Sequence, residues 1–421
     1  SGPLGRFSLL FRASDDALVL KQDGELLGPG SASGFLDRLS SWFEQESVTS
    51  PGIADLPFNG GWFIYLSYEM AGEIEPVLEL PDSDPSLPVA LAVRCRGAIL
   101  IDHGARDTAW VVGEDPEIVN DILADLAALP ERKEPAAQDI DHVQAEDGEQ
   151  FKAAVERIKR YLEEGDVFQV NLSRAWHGSY DEQVDPYALY RKLRQENPAP
   201  FAGLMNWGGS SLLSSSPERL VEVRGNLVQT RPIAGTYPRG HDEASDTALS
   251  RAMLAHPKEQ AEHIMLIDLE RNDLGRVCQS GTVEVSELMV LESYAHVHHI
   301  VSNVRGTLRD GITPVDVIRA VFPGGTITGC PKVRCMEIIA ELEQSGRGFY
   351  TGSMGYIGRD GQMDLNILIR SMLINQNQVS LRTGAGIVAD SVPERELAET
   401  VAKARGVLGA LTAGQEAGED A

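Results

Sequence analysis

Two periodicities divide this chain. Strand-length apolar runs recur at 167–173, 211–215, 219–230, 281–290 and 299–305, and glycine-punctuated ones at 349–358, 363–374 and 379–388. Between them, apolar residues returning every three to four positions predict helices over about 186–195, 257–271, 314–321, 331–345 and 392–408. A further helix opens after Asp147, which with Gln150 forms a candidate capping box. Phe151, Ala154, Val155, Ile158 and Leu162 make its apolar face, and Gly165 ends it. Upstream, residues 6 to about 115 read as short strands with turn signals, among them Ala17–Leu20, Gly60–Glu69 and Ala98–Ile101, with one helical stretch from Phe35 to Phe43. Long strand runs broken by single helices, without alternating βαβ units, predict an α+β sandwich.

Polarity divides the chain further. Residues 131–148 are mostly polar and charged and read as a linker. It separates an N-terminal subdomain, 6–130, from a second unit, 149–408, and residues 409–421 form a small acidic tail expected to fray. The net charge of −26 argues against nucleic acid or an anionic membrane surface as partner. It also means that an anionic substrate needs local basic groups or a metal ion. No apolar run reaches the length of about 18 residues that spans a membrane, and the first residues lack a signal-peptide pattern. Four cysteines, Cys95, Cys278, Cys330 and Cys335, stand without CxxC spacing, which favours reduced thiols and a cytoplasmic location.

Candidate chemistry gathers in the second unit. In the last helix Ser391 and Glu394 form a capping box, and Glu396, Glu399 and Lys403 share one face. A solvated charged face is the ordinary reading of such a pattern. Glu262 and His263 stand just ahead of the apolar run Ile264–Ile267. Within Thr383-Gly384-Ala385-Gly386-Ile387 the two glycines would let backbone N–H groups approach an anion, or simply turn the chain between strand and helix.

Four motifs in order decide between these readings: Ser215-Ser216-Pro217-Glu218, Arg231-Pro232-Ile233-Ala234-Gly235-Thr236, Phe322-Pro323-Gly324-Gly325-Thr326, and the glycine pair. From roughly residue 150 to 406 the chain resembles the chorismate-utilising enzymes: the large subunits of anthranilate and aminodeoxychorismate synthase, and the isochorismate and salicylate synthases. The resemblance implies two stacked, mostly antiparallel sheets with helices outside and an active site in a cleft between them. It implies Mg²⁺ bound by Glu262 and Glu396, with Glu399 in its outer shell. It assigns Glu218 as general acid, and Thr326, Tyr350, Arg370, Gly384, Gly386 and Lys403 to substrate. His299 and Thr236 match further positions at the reacting centre. Where the water-adding members carry a lysine base, this chain has Gln169, so ammonia is the implied nucleophile. Where many aminodeoxychorismate synthases carry a nucleophilic lysine, it has Ala234, so no covalent adduct forms there.

Ala234 alone points to the anthranilate synthase type. Leu9-Leu10-Phe11-Arg12 points away from it, lacking the glutamate and serine of that type's Leu-Leu-Glu-Ser feedback element. Pro57–Trp62, Ser67-Tyr68-Glu69 and His296-Val297-His298-His299 are closer to the aminodeoxychorismate synthase type, which is the expectation taken forward. None of the four cysteines lies in an amidotransferase-like nucleophile turn. A glutamine amidotransferase partner is therefore expected to supply the ammonia.

Overall fold

The computed structural model describes residues 3–49, 56–105, 108–130, 139–140, 143–240, 242, 245–247, 249–251, 257–293 and 297–412. Most of the polar stretch 131–142, the tail beyond Thr412 and His296 therefore lie outside the described residues.

Two antiparallel sheets with helices on their outer faces make the α+β fold expected from the sequence. Among the described residues the larger has twelve strands. Phe7–Leu20, Gly61–Leu66 and Ala90–Asp102 of the N-terminal third join Arg219–Arg224, Ile233–Pro238, Val297–Thr307 and Ser353–Gly358 of the later chain. The junction is the pairing of Gly61–Leu66 with Ser353–Gly358, so the two parts of the sequence share one sheet. The smaller, seven-stranded sheet centres on Gln169–Ser179, Gln378–Ile387, Ser371–Asn375 and Ser210–Ser216. Val143–Ala145, inside the polar stretch, adds a short strand to it.

The apolar patterns land where packing needs them. Phe151, Val155 and Ile158 of the Gly148–Glu164 helix are buried against Val170 and Leu172. The Pro186–Glu196 and Pro393–Leu411 helices cover the outer face of the small sheet through Leu189, Leu193, Ala404 and Val407. Tyr65, Leu91, Met205, Leu212, Met354 and Leu373, drawn from both sheets, fill the layer between them.

Two helix starts differ from expectation. Asp147 caps its helix, but by accepting the Glu149 N–H at 2.9 Å instead of forming a box with Gln150. Ser391 does not cap the last helix. Pro393, fixed in the first helical position, makes Val392 the N-cap, and the Ser391 hydroxyl instead accepts the Val388 N–H at 3.1 Å. A capping box does form between Thr313 and Asp316, at the start of Pro314–Val321.

Candidate active site

Strand periodicity builds one wall of the cleft. Gln169, Asn171 and Ser173 alternate onto the inner face of their strand, and the antiparallel register sets Gly386 opposite Asn171 and Gly384 opposite Ser173. Both glycines lie inside an extended strand, which corrects the expectation of an anion-binding nest or a turn. What they supply is space. A Cβ on Gly386 would stand 2.7 Å from Gln169 Nε2, and one on Gly384 would stand 2.8 Å from Tyr350 Oη and 2.9 Å from Asn171 Oδ1. Gln169 Oε1 and Asn171 Oδ1 are buried without a hydrogen-bond partner. Two orphaned polar atoms side by side on one inner face are what a site awaiting a polar ligand leaves behind.

Lys403 links the acid to this wall, since its charge acts on Glu218 while its Nζ donates to the Gly384 carbonyl. Glu218 follows the Ser210–Ser216 strand, where the Ser216 hydroxyl accepts its N–H at 3.2 Å. Its side chain is 5% exposed, and burial pushes its acid up to about 7. Opposing that rise are the Thr326 hydroxyl, which donates to Glu218 Oε1 at 2.7 Å, the Ile233 N–H, and the charges of Lys403 and Arg370. Burial wins, so this carboxyl keeps its proton near neutrality while cations stand close by.

Those cations are the local basic groups that the net charge made necessary. Arg370 sits at φ +51°, a strained conformation for a side-chain-bearing residue. Its guanidinium has no hydrogen-bond partner among the described residues, which leaves its planar fork available to a carboxylate. Lys403 Nζ donates to the Gly384 carbonyl at 3.0 Å and pairs with Glu399 at 2.7 Å. His299 is buried, its ring within 3.4 Å of the Gly235 carbonyl. Burial first, then the charge of Arg370, lowers its acid to about 4, so the imidazole is neutral at physiological pH. The backbone of Thr236 pairs with His299, while its side chain is outside the described ones. Ala234 is buried one residue beyond Ile233 and presents only a methyl group.

The structure thus brings together Glu218, Thr326, Arg370, Lys403, Gln169, Tyr350 and the two glycines, with Ala234 and His299 on the adjoining strands. The metal expectation is less developed. Glu396 is buried in the first turn of its helix, Glu262 is half-buried on Pro257–Gly275, and Glu399 is engaged by Lys403. No group of three or more metal-ligating side chains is assembled among the described residues. Two carboxylates with an oxygen-only donor set nevertheless suit Mg²⁺, which keeps several waters and takes one or two carboxylates.

Sequence reasoning missed three features. Asn171 was legible as the period-two partner of Gln169. Glu270 occupies the buried stripe of Pro257–Gly275 with His263, Leu266, Ile267 and Leu274. Burial, then the neighbouring Asp273 carboxylate, pushes its acid above the usual carboxylate range. The third is the cluster of Glu343, Arg347 and Arg382 behind Tyr350.

Comparison with known proteins identifies the family. The chain matches the chorismate binding enzyme family over residues 21–409. It is 43% identical to aminodeoxychorismate synthase component 1 of Bacillus subtilis over 391 residues, covering 89% of this chain and 82% of that protein. To an anthranilate synthase component I-like protein of Synechocystis it is 42% identical over 384 residues, covering 91% and 79%. The solved anthranilate synthase component I from Streptococcus pneumoniae superposes with a TM-score of 0.84 at 30% identity, covering 97% of this chain and 93% of that one. The motifs, the two-sheet fold and these relatives agree: the chain belongs to the chorismate-binding enzyme family.

Proposed function

We propose that this chain is the large subunit of an aminodeoxychorismate synthase, converting chorismate and ammonia to 4-amino-4-deoxychorismate. The observation that carries the amino-transferring chemistry is Glu218, a buried acid protonated near neutrality in a cleft whose nucleophile positions are Gln169 and Ala234. Glu218 donates its proton to the C4 hydroxyl, which leaves as water while ammonia bonds to C2 and the ring double bond shifts. The nitrogen added at C2 sheds a proton that restores Glu218; the bound 2-amino-2-deoxyisochorismate then takes a second ammonia at C4, and the C2 amine leaves as ammonia with the proton that the incoming nitrogen sheds. One ammonia enters and one water leaves. Arg370, Lys403 and Tyr350 hold a substrate carboxylate, with Thr326 keeping the acid oriented. Mg²⁺ held by Glu262 and Glu396, with Glu399 in its outer shell, would neutralise the other carboxylate. A glutamine amidotransferase subunit supplies ammonia in the cell, and the location is cytoplasmic; in the described residues no helix is long and apolar enough to cross a membrane.

Phe11 supports the choice between the two amino-transferring types. In place of the feedback element's glutamate, its ring packs edge-on against Phe58 at 5.0 Å and leans on Phe63 and Tyr356. An apolar aromatic cluster occupies that position. The second reading, anthranilate synthase, is favoured by Ala234 and by the greater number of relatives bearing that name. Both share the first intermediate and differ in whether it loses pyruvate.

The test is nitrogen dependence. With ammonium salts and Mg²⁺ the chain consumes chorismate, and Glu218→Gln lowers kcat by about 10²–10⁴, the usual worth of a general acid. Substantial isochorismate or salicylate formed without ammonia would show that Gln169 permits water to attack.

A further inference from the structure

Behind Tyr350 and Gly384 lies a charge cluster that no step above uses. Arg347 and Glu343 have side chains only 1% exposed, and Arg382 is 9% exposed. Arg347 binds Glu343 through two parallel contacts, Nη2 to Oε1 at 2.7 Å and Nε to Oε2 at 3.0 Å. Its other N–H groups reach the Asn171 carbonyl at 2.7 Å, the Ile327 carbonyl at 3.1 Å and the Thr351 hydroxyl at 3.3 Å. All five donors of the guanidinium are thereby used. Glu343 Oε1 also accepts the Ser173 N–H and hydroxyl, each at 2.8 Å. Arg382 completes the cluster, donating to Glu343 Oε2 at 3.1 Å and to the Ser173 hydroxyl at 3.2 Å.

Two features set this apart from an ordinary buried ion pair. The first is what it ties together. Asn171 belongs to the strand carrying Gln169, Ile327 follows Thr326, and the Tyr350 N–H donates to the Arg347 carbonyl. The guanidinium also lies 5.6 Å from the centre of the Tyr350 ring. One side chain therefore fixes the relative placement of three segments that meet at the cleft. The second is charge. Two arginines face one glutamate, so the side chains of the cluster carry a surplus positive charge, which burial leaves less screened than an exposed charge would be. A protein of net charge −26 offers an anionic substrate few other attractive fields.

We propose that Glu343, Arg347 and Arg382 are positioning residues for the reaction: Arg347 sets the spacing of the Gln169, Thr326 and Tyr350 segments, and the surplus charge, through Arg382, draws the substrate carboxylate to the Tyr350–Gly384 wall. This rests on reading that wall as the carboxylate site. The cluster touches no reacting atom. It acts through the residues it holds, as fixed charges and dipoles do when aimed in advance at a developing or bound anion.

The experiment separates charge from scaffold and from the site reading. Arg382 borders a cavity of about 330 Å³ between the sheets, so a methionine there has room to settle. Steady-state kinetics with chorismate and ammonium are compared for wild type, Arg382→Met, Arg382→Lys, Arg347→Lys and Arg370→Met, with thermal unfolding of each. Arg382→Met removes the surplus charge and leaves the Arg347–Glu343 pair. Its KM for chorismate is expected to rise about tenfold while kcat moves less than threefold, and Arg382→Lys to recover most of the loss. Arg347→Lys keeps the charge but cannot reach both carbonyls, and its kcat is expected to fall at least tenfold. If Arg370→Met raises KM while Arg382→Met leaves it within twofold of wild type, the cluster is structural and the inference fails. If Arg370→Met also leaves KM unchanged, the carboxylate wall itself has been misassigned. Should Arg382→Met fail to fold, an Arg382→Lys enzyme with KM raised as much as that of Arg370→Met overturns the charge argument, and one near wild type sustains it.

Discussion

At the scale of single residues the account turns on how one carboxyl keeps its proton. Glu218 has its acid raised to about 7 chiefly by burial, so the form that can protonate a leaving hydroxyl prevails below that pH and is lost as pH rises through it. At a fixed concentration of free ammonia, kcat should therefore fall above about pH 7. Thr326 supplies a check on the cause. Its hydroxyl donates to the carboxylate and so favours the charged form, opposing burial. Thr326→Val removes that donor at nearly constant shape, and the falling limb should move upward by about 0.5–1 pH unit, the worth of one hydrogen bond. A limb that stays in place or moves down would show that Thr326 does not act on the acid. His299 cannot produce this limb, since its imidazole titrates near 4.

At the scale of elements, the strand Gln378–Ile387 shows what sequence could and could not tell. Its existence, its glycine pair and the helix after it were legible, because alternation and Gly or Pro punctuation are local signals. The glycines' purpose was not, because it depends on what the neighbouring strand and Tyr350 bring to the same face. The same limit hid the Arg347 cluster, whose contacts span up to 209 residues of sequence. Ser391 was misassigned for a local reason instead, because Pro393 moved the helix start by one residue. Glu218, Arg370 and Lys403 were found because each stands in or near a motif, whereas Glu270 looked like one more polar helical residue. The two glycines now make opposite predictions. A Cβ on Gly384 meets the Leu172 carbonyl at 2.6 Å, and backbone cannot step aside. Gly384→Ala should cost about 1–3 kcal/mol of stability as well as activity. At Gly386 the nearest atom is the end of the Gln169 amide, which can rotate away. Gly386→Ala should unfold within a few degrees of wild type yet lose most activity, because the displaced amide enters the cleft. Thermal melts and turnover of the two variants decide this, and a Gly386→Ala enzyme with normal turnover would remove Gln169 from the site.

At the scale of the whole molecule, a twelve-stranded sheet bridges the N-terminal third and the later chain, so the cleft's frame is continuous with the strand that carries Phe11. The net charge of −26 surrounds a cleft lined by Arg370 and Lys403. Long-range repulsion of a dianionic substrate should be screened by salt more than short-range attraction inside the cleft. Thus kcat/KM for chorismate should rise modestly as ionic strength goes from about 0.01 to 0.15 M, the range over which the Debye length shrinks from about 30 to 8 Å. A steep fall would mean that the cleft's cations govern encounter as well as binding. The central claim concerns the product, since both amino-transferring types share the cleft, the acid and the first intermediate. The direct measurement incubates the chain with chorismate, Mg²⁺ and ammonium, with and without a lyase that converts aminodeoxychorismate to p-aminobenzoate. The account predicts that p-aminobenzoate and pyruvate appear only when the lyase is present; anthranilate and pyruvate as the main products of this chain alone would contradict it.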